Sequence, residues 1–159
     1  AVHDTEALLK AKKEGILSEL IIDCWENEPH IDLQLLAETA IATPHVAGFS
    51  ADGKANGTRA CLETIGRFYG VEIEKLKDVL PPAPVNPVID LNKFASNRME
   101  QAILTTFKPE TVDERLRQAP EKFEWFRNNY PHPREFKAYT LLNIREEEYA
   151  LADTLGFNR

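Results

Sequence analysis

Ala42-Thr43-Pro44-His45-Val46-Ala47-Gly48-Phe49 sets a histidine just past a short apolar run, Thr39-Ala40-Ile41-Ala42. Pro44 has no N–H to give a strand ladder, so the strand ends there and the backbone enters a turn that presents the imidazole. Upstream, Leu20-Ile21-Ile22-Asp23-Cys24-Trp25-Glu26-Asn27-Glu28-Pro29 is a second apolar run that ends in acids and a proline. Two strands are thus expected to end in polar groups at one sheet edge. In an open α/β sheet, ligands sit at the carboxyl ends of the strands.

Working outward, Asp4-Thr5-Glu6 ahead of Ala7-Leu8-Leu9 reads as a helix start, and the helix Asp4 to Glu14 stops at Gly15. Leu20 to Cys24 has the pattern of a buried parallel strand. Ile31 to Leu36 suits a short helix beside the strand Ala40-Ile41-Ala42. The spacing of Ala55, Thr58, Leu62, Ile65 and Phe68 predicts one long amphipathic helix from Ala51 to Tyr69, closed by Gly70.

Pro81-Pro82-Ala83-Pro84-Val85-Asn86-Pro87 carries four of the ten prolines and reads as a semi-rigid linker, 81–87. Beyond it, Val88 to Leu91 reads as a strand, and Ser96 to Phe107, Val112 to Gln118 and Glu121 to Asn129 as helices. Phe136 to Leu142 alternates as a strand, and Glu146 to Leu155 closes as a helix whose acids favour its positive end. A core of about 70 residues is rarely stable without help, and subunit association is a source of it.

Composition narrows the function. With 43% hydrophobic and 28% charged residues the 159-residue chain is that of a globular protein. Nineteen basic against twenty-six acidic residues give a net charge of −7, with no basic cluster, which argues against nucleic acid and anionic membrane as partners. Cys24 and Cys61 lack paired or metal-type spacing and read as reduced, buried thiols, as suits the cytoplasm.

His45 is suited to proton transfer because its ordinary pKa lies near neutrality. A carboxylate on its other ring nitrogen would fix the tautomer and favour the protonated form. Glu28, seventeen residues upstream, is the expected partner, with Glu26 its rival; a metal site on Asp23, Glu26 and Glu28 is unsupported, since no histidine pair accompanies them. The plainer readings are a turn histidine and solvated strand-end acids. His3, His30 and His132 share no spacing and read as surface residues. Arg134, in Pro131-His132-Pro133-Arg134-Glu135-Phe136, is expected either in an exposed ion pair with Glu135 or a neighbour, or reaching a phosphate across a dimer.

Taken together, Asp23 to Pro29, Thr43-Pro44-His45, the run Gly48 to Lys54, the opening Val2 to Leu8 and the closing Leu155-Gly156-Phe157 resemble the D-isomer-specific 2-hydroxyacid dehydrogenases. The resemblance is to the C-terminal part of such an enzyme, and it implies an α/β fold. Residues 1–80 would be the C-terminal part of a Rossmann-type NAD-binding domain, with helix 51–69 crossing out of it. Residues 88–159 would be a small α+β dimerisation domain. It further implies His45 as catalytic base and Glu28, the acid directly before the proline, as its partner. Asp23 and the backbone at Gly48 would meet NAD, and Phe49 the substrate, a small phosphorylated 2-hydroxyacid. Relatives with the matching extension have tyrosine where this chain has Phe49, which removes a hydroxyl donor. The family's catalytic arginine and Gly-rich loop would lie before Ala1, so the piece alone is expected to be inactive. The rival readings are a 2-hydroxyacid dehydrogenase with another pocket and a non-catalytic dimerisation or regulatory module on the same fold.

Overall fold

The computed structural model describes residues 2–74 and 78–159. They are mixed helix and strand with two small parallel sheets, and they gather into two compact units, each built from two stretches of chain. The first unit is Ala1–Ala47 with Lys108–Pro131; the second is Gly48–Phe107 with His132–Arg159. Pro81 to Pro87 runs within the second. No helix among the described residues is long and apolar enough to cross a membrane.

In the first unit, α1 (Thr5–Lys13) begins where Asp4 accepts the Ala7 N–H at 2.8 Å and ends on three lysines that suit the negative helix end. Its Leu8 and Leu9 pack on a core of Leu20, Ile22, Trp25, Leu35, Leu36 and Ala42. β1 (Ile21–Ile22) and β2 (Ile41–Ala42) pair in parallel, Ile21 opposite Ile41 and Ile22 opposite Ala42. Between them α2 (Leu33–Glu38) is capped by Asp32, which accepts the Leu35 N–H at 2.7 Å. The expected strand to Cys24 is shorter because the chain turns at Asp23, whose carboxylate is taken up by the neighbouring loop.

Two later helices complete this unit, α5 (Pro109–Gln118) and α6 (Phe123–Asn128), and bring Leu116 and Phe123 into its core. α5 starts earlier than expected because Pro109 sits at its first turn, where a missing N–H costs nothing. Asp113 accepts the Ala42 N–H at 2.7 Å, so this edge amide of β2 is paired by a helix side chain. Arg117 binds Asp113 at 2.8 Å and donates to the carbonyls of Leu36 and Thr39 at 2.7 and 2.6 Å.

In the second unit, α3 (Ala51–Tyr69) has the expected bounds: Ser50 accepts the Gly53 N–H at 2.8 Å at one end, and Gly70 closes the other with φ 64°. A Cβ at Gly66 would lie 2.8 Å from the Val71 carbonyl, so the chain's return over the helix requires glycine there. β3 (Val88–Asp90) and β4 (Thr140–Leu142) pair in parallel over a core of Ile89, Leu91, Met99, Ala102, Tyr139, Leu141, Ala152 and Phe157. α4 (Arg98–Thr106) and α7 (Tyr149–Leu155) supply the helical part of that core.

Some expectations are corrected here. Phe136–Ala138 is a single tight helical turn and only Thr140–Leu142 is strand, because the Ala138 and Tyr139 amides bond back to Glu135 and Phe136. Phe136 instead stacks on Phe157, with centroids 4.7 Å apart. Glu146–Glu148 likewise form a tight turn ahead of α7. Both cysteines are free, but Cys61 is exposed on α3 and Cys24 is half-buried past the end of β1. A helix of that length shows one face to solvent, and Cys61 falls on it.

Candidate active site

The strand pairing decides what meets what. Because Ile22 and Ala42 are opposed, the loops leaving β1 and β2 emerge side by side, and their backbones lock: Thr43 N–H to Ile22 O at 2.9 Å and His45 N–H to Asp23 O at 2.9 Å. From these loops His45 Nδ1 and Glu28 Oε2 come to 2.7 Å. An ionised Glu28 is acceptor only, so the neutral imidazole carries its proton on Nδ1 and keeps a lone pair on Nε2. The His45 side chain is 39% exposed and that of Glu28 19%. The pair is therefore open to a substrate on the imidazole side and sheltered on the carboxylate side.

Each partner is held in turn. Glu28 Oε1 accepts the Trp25 backbone N–H at 2.7 Å. The indole N–H of the same Trp25, a residue 5% exposed, donates to the Thr43 carbonyl at 2.9 Å. His45 itself has φ 56°, a left-handed conformation that costs a side-chain-bearing residue free energy. The Asp23 carboxylate supports it. Asp23 Oδ1 accepts the Thr43 hydroxyl at 2.7 Å, the Val46 N–H at 2.7 Å and the Ala47 N–H at 3.1 Å.

Asp23 is thus spent largely on the loop, and its Oδ2 accepts the Ala47 N–H at 3.2 Å with the Cys24 thiol at 3.9 Å. Burial, then the charges of Asp23 and Glu28, push the Cys24 thiol up and keep it from being a nucleophile. Burial pushes the Tyr130 hydroxyl up to about 12, with the Asp23 charge adding to it. Tyr130 therefore stays protonated at neutral pH. Glu26, the rival acid by sequence, accepts the Thr5 N–H at 3.0 Å and caps α1, a bond that holds its carboxyl below the usual range.

The remaining residues singled out in the sequence belong to the second unit. Gly48 has φ 78° and no atom within 4 Å of where a Cβ would be, so its need for glycine is conformational. Phe49 is 37% exposed and lies against His132, rings 14° from parallel with centroids 6.1 Å apart, and Lys54 Nζ is 5.5 Å from its ring centre. His132 and His3 are half-buried, unlike His30, because each sits against neighbouring chain.

Arg134 is not in an exposed pair with Glu135. It binds Asp52 through Nε at 2.8 Å and Nη2 at 3.2 Å, with Asp52 only 4% exposed, and donates to the Pro82 carbonyl. Glu135 pairs instead with Lys137 at 2.9 Å and accepts the Ser50 hydroxyl at 3.0 Å. The sequence reading gave no role to Trp25, Thr43 or Asp52. A buried tryptophan between two acids was the available signal, since its N–H needs an acceptor.

An imidazole backed by a carboxylate at the ends of adjacent parallel strands is an arrangement chemically able to transfer a proton. Residues 79–156 match the family described as "Domain of unknown function (DUF3410)". The chain is 52% identical over 157 residues to erythronate-4-phosphate dehydrogenase of Porphyromonas gingivalis, covering 99% of this chain and 42% of that protein. It is 44% identical over 144 residues to the protein of the same name from Bacteroides thetaiotaomicron, covering 91% of this chain and 39% of that one. A protein of that name from Bacteroides fragilis is 44% identical over 141 residues, or 89% of this chain and 38% of the relative. The chain is a homologue of a segment of these dehydrogenases, and it spans about two fifths of their length.

Proposed function

We propose that this chain is the C-terminal part of an NAD-dependent D-2-hydroxyacid dehydrogenase that oxidises 4-phospho-D-erythronate to its 2-oxo acid in pyridoxal phosphate biosynthesis. The observation that carries this reading is the 2.7 Å bond between Glu28 and His45, in a chain 52% identical over nearly its whole length to an enzyme of that name. In this reading residues 1–80 belong to the NAD-binding domain with helix 51–69 crossing out of it, 81–87 are the linker, and 88–159 form the dimerisation domain of a cytoplasmic homodimer, with 108–131 of that segment packed on 1–47 in this chain.

His45 Nε2, the ring nitrogen not bonded to Glu28, takes the substrate hydroxyl proton. Glu28 keeps the ring in the Nδ1–H tautomer and stabilises the imidazolium that forms. NAD, held by Asp23 and the backbone at Gly48, would supply the acceptor for the hydride from the carbon that bears this hydroxyl. Asp23 Oδ2, the less engaged oxygen of its carboxylate, suits the carboxamide of the nicotinamide, and the open backbone at Gly48 suits close approach of the cofactor. Phe49 offers the substrate an aromatic face without a hydroxyl, which favours a second reading, a 2-hydroxyacid dehydrogenase of different side-chain preference.

The test is NADH formation by the full-length gene product with 4-phosphoerythronate and, separately, unphosphorylated 2-hydroxyacids. Turnover of the phosphorylated acid alone, abolished in His45→Ala, is the expected result. Preference for unphosphorylated acids would favour the second reading. No turnover of any of them by a folded protein would overturn both and leave a non-catalytic module.

A further inference from the structure

We infer that Trp25 is a positioning residue for the Glu28–His45 pair, holding acid and base in register by bonding to both of the loops that carry them. This rests on the catalytic reading of that pair. The two loops leave separate strands whose ladder is only two residues long, too short to fix by itself the spacing of groups several residues further on. Trp25 adds a constraint to the backbone bonds and the Asp23 carboxylate that also join the loops. Its backbone N–H holds Glu28 Oε1, leaving Oε2 for His45, and its indole N–H holds the Thr43 carbonyl two residues before His45.

The geometry makes the side chain, and not merely the position, responsible for the link. Any residue at position 25 would offer the backbone bond to Glu28. Only a long, rigid side chain with a terminal donor reaches across to Thr43, and an indole loses little conformational freedom in doing so. The ring also belongs to the apolar core with Leu20, Ile22 and Leu35, so the bond is made from a seated group. Trp25 itself is buried and needs no contact with substrate. Its effect passes through the two groups it spaces.

The test compares Trp25→Phe, and an isostere of tryptophan in which sulfur replaces the ring N–H, with wild type in the full-length gene product. The isostere keeps shape and burial, so it answers for any folding defect of the phenylalanine variant. Loss of one such hydrogen bond is expected to lower kcat about tenfold with KM changed less than about twofold. In a Glu28→Gln background the same change should cost less than about twofold, because the geometry it protects is already lost. Equal losses in both backgrounds, or an unchanged kcat in the isostere, would overturn the inference.

A second readout stands apart from activity. The ¹⁵N signals of His45 report which ring nitrogen carries the proton, and both Trp25 changes should raise the Nε2–H form severalfold. An unaltered tautomer ratio would overturn the inference even if the enzyme lost activity. A full-length protein with no turnover, but with this ratio shifted as expected, would sink the dehydrogenase reading while the positioning role stood.

Discussion

Glu28 in the first unit and Asp52 in the second are built alike and used differently. Each carboxylate accepts a backbone N–H from a loop, that of Trp25 or of Glu135, and each pairs with a side chain distant in sequence, His45 or Arg134. Glu28 meets an imidazole whose side chain is 39% exposed. Asp52 meets a guanidinium that stays charged, in a site where its own side chain is 4% exposed. The difference teaches where each can act. A half-open imidazole–carboxylate pair is placed to exchange a proton with a bound molecule, whereas a buried pair with a permanent cation can only hold chain together.

Breaking the first pair should therefore show in rate, and breaking the second in stability. His45→Ala in the full-length gene product is expected to lower kcat by roughly 10²–10⁴, the range of general-base catalysis, with folding stability changed by about 1 kcal/mol or less. Steady-state NADH formation and urea unfolding measure the two. Asp52→Asn should do the reverse, costing about 3 kcal/mol in urea unfolding, because it leaves Arg134 desolvated beside a neutral amide. If His45→Ala proved the more destabilising of the two, the contrast would fail.

The pH dependence of stability separates the pairs further. Burial alone would raise the Asp52 carboxyl, but hydrogen bonds from Arg134 and the Glu135 amide, with the charges of Arg134 and Lys137, outweigh it and hold the group below the usual carboxylate range. A group depressed in the folded state stabilises fully above its unfolded pKa, about 3.9, and that contribution is lost as pH falls through the lower folded value. Thermal unfolding followed from pH 6 downward should show Tm falling below about pH 4 more steeply in wild type than in Asp52→Asn. Parallel curves would mean that Asp52 is not linked to folding in this way.

How much of this was legible in the sequence depends on the range over which each feature is determined. α3 was readable to the residue because its signals, the apolar spacing and Gly70 at the end, are local. The meeting of Glu28 and His45 followed from two strands that end in turns, a pattern within one short segment. That Asp113 pairs the edge of β2 and Arg117 the end of α2 was not readable, since their partners lie 71 to 81 residues away and nothing local in α5 names them. Phe136–Ala138 misled for the opposite reason. Its alternation was real, but it arises from Phe136 packing on Phe157 through a tight turn, which half-buries Phe136 and Ala138 and leaves Lys137 exposed, as a strand would.

The smallest expected effect lies at Phe49, where the proposed substrate contact and the second unit meet in one side chain. Its ring lies against His132 and under Lys54, so Phe49→Tyr adds a hydroxyl to a ring already supported on two sides. At 37% exposure there is room for the oxygen, and stability should change by no more than about 0.5 kcal/mol. If the ring touches substrate, the new donor should lower KM for 4-phosphoerythronate about fivefold, the worth of one neutral hydrogen bond, and leave kcat within about twofold. A change confined to kcat would place Phe49 closer to the reacting carbon than the proposal has it. No change in either constant would remove Phe49 from the substrate pocket and leave the Glu28–His45 pair to carry the assignment alone.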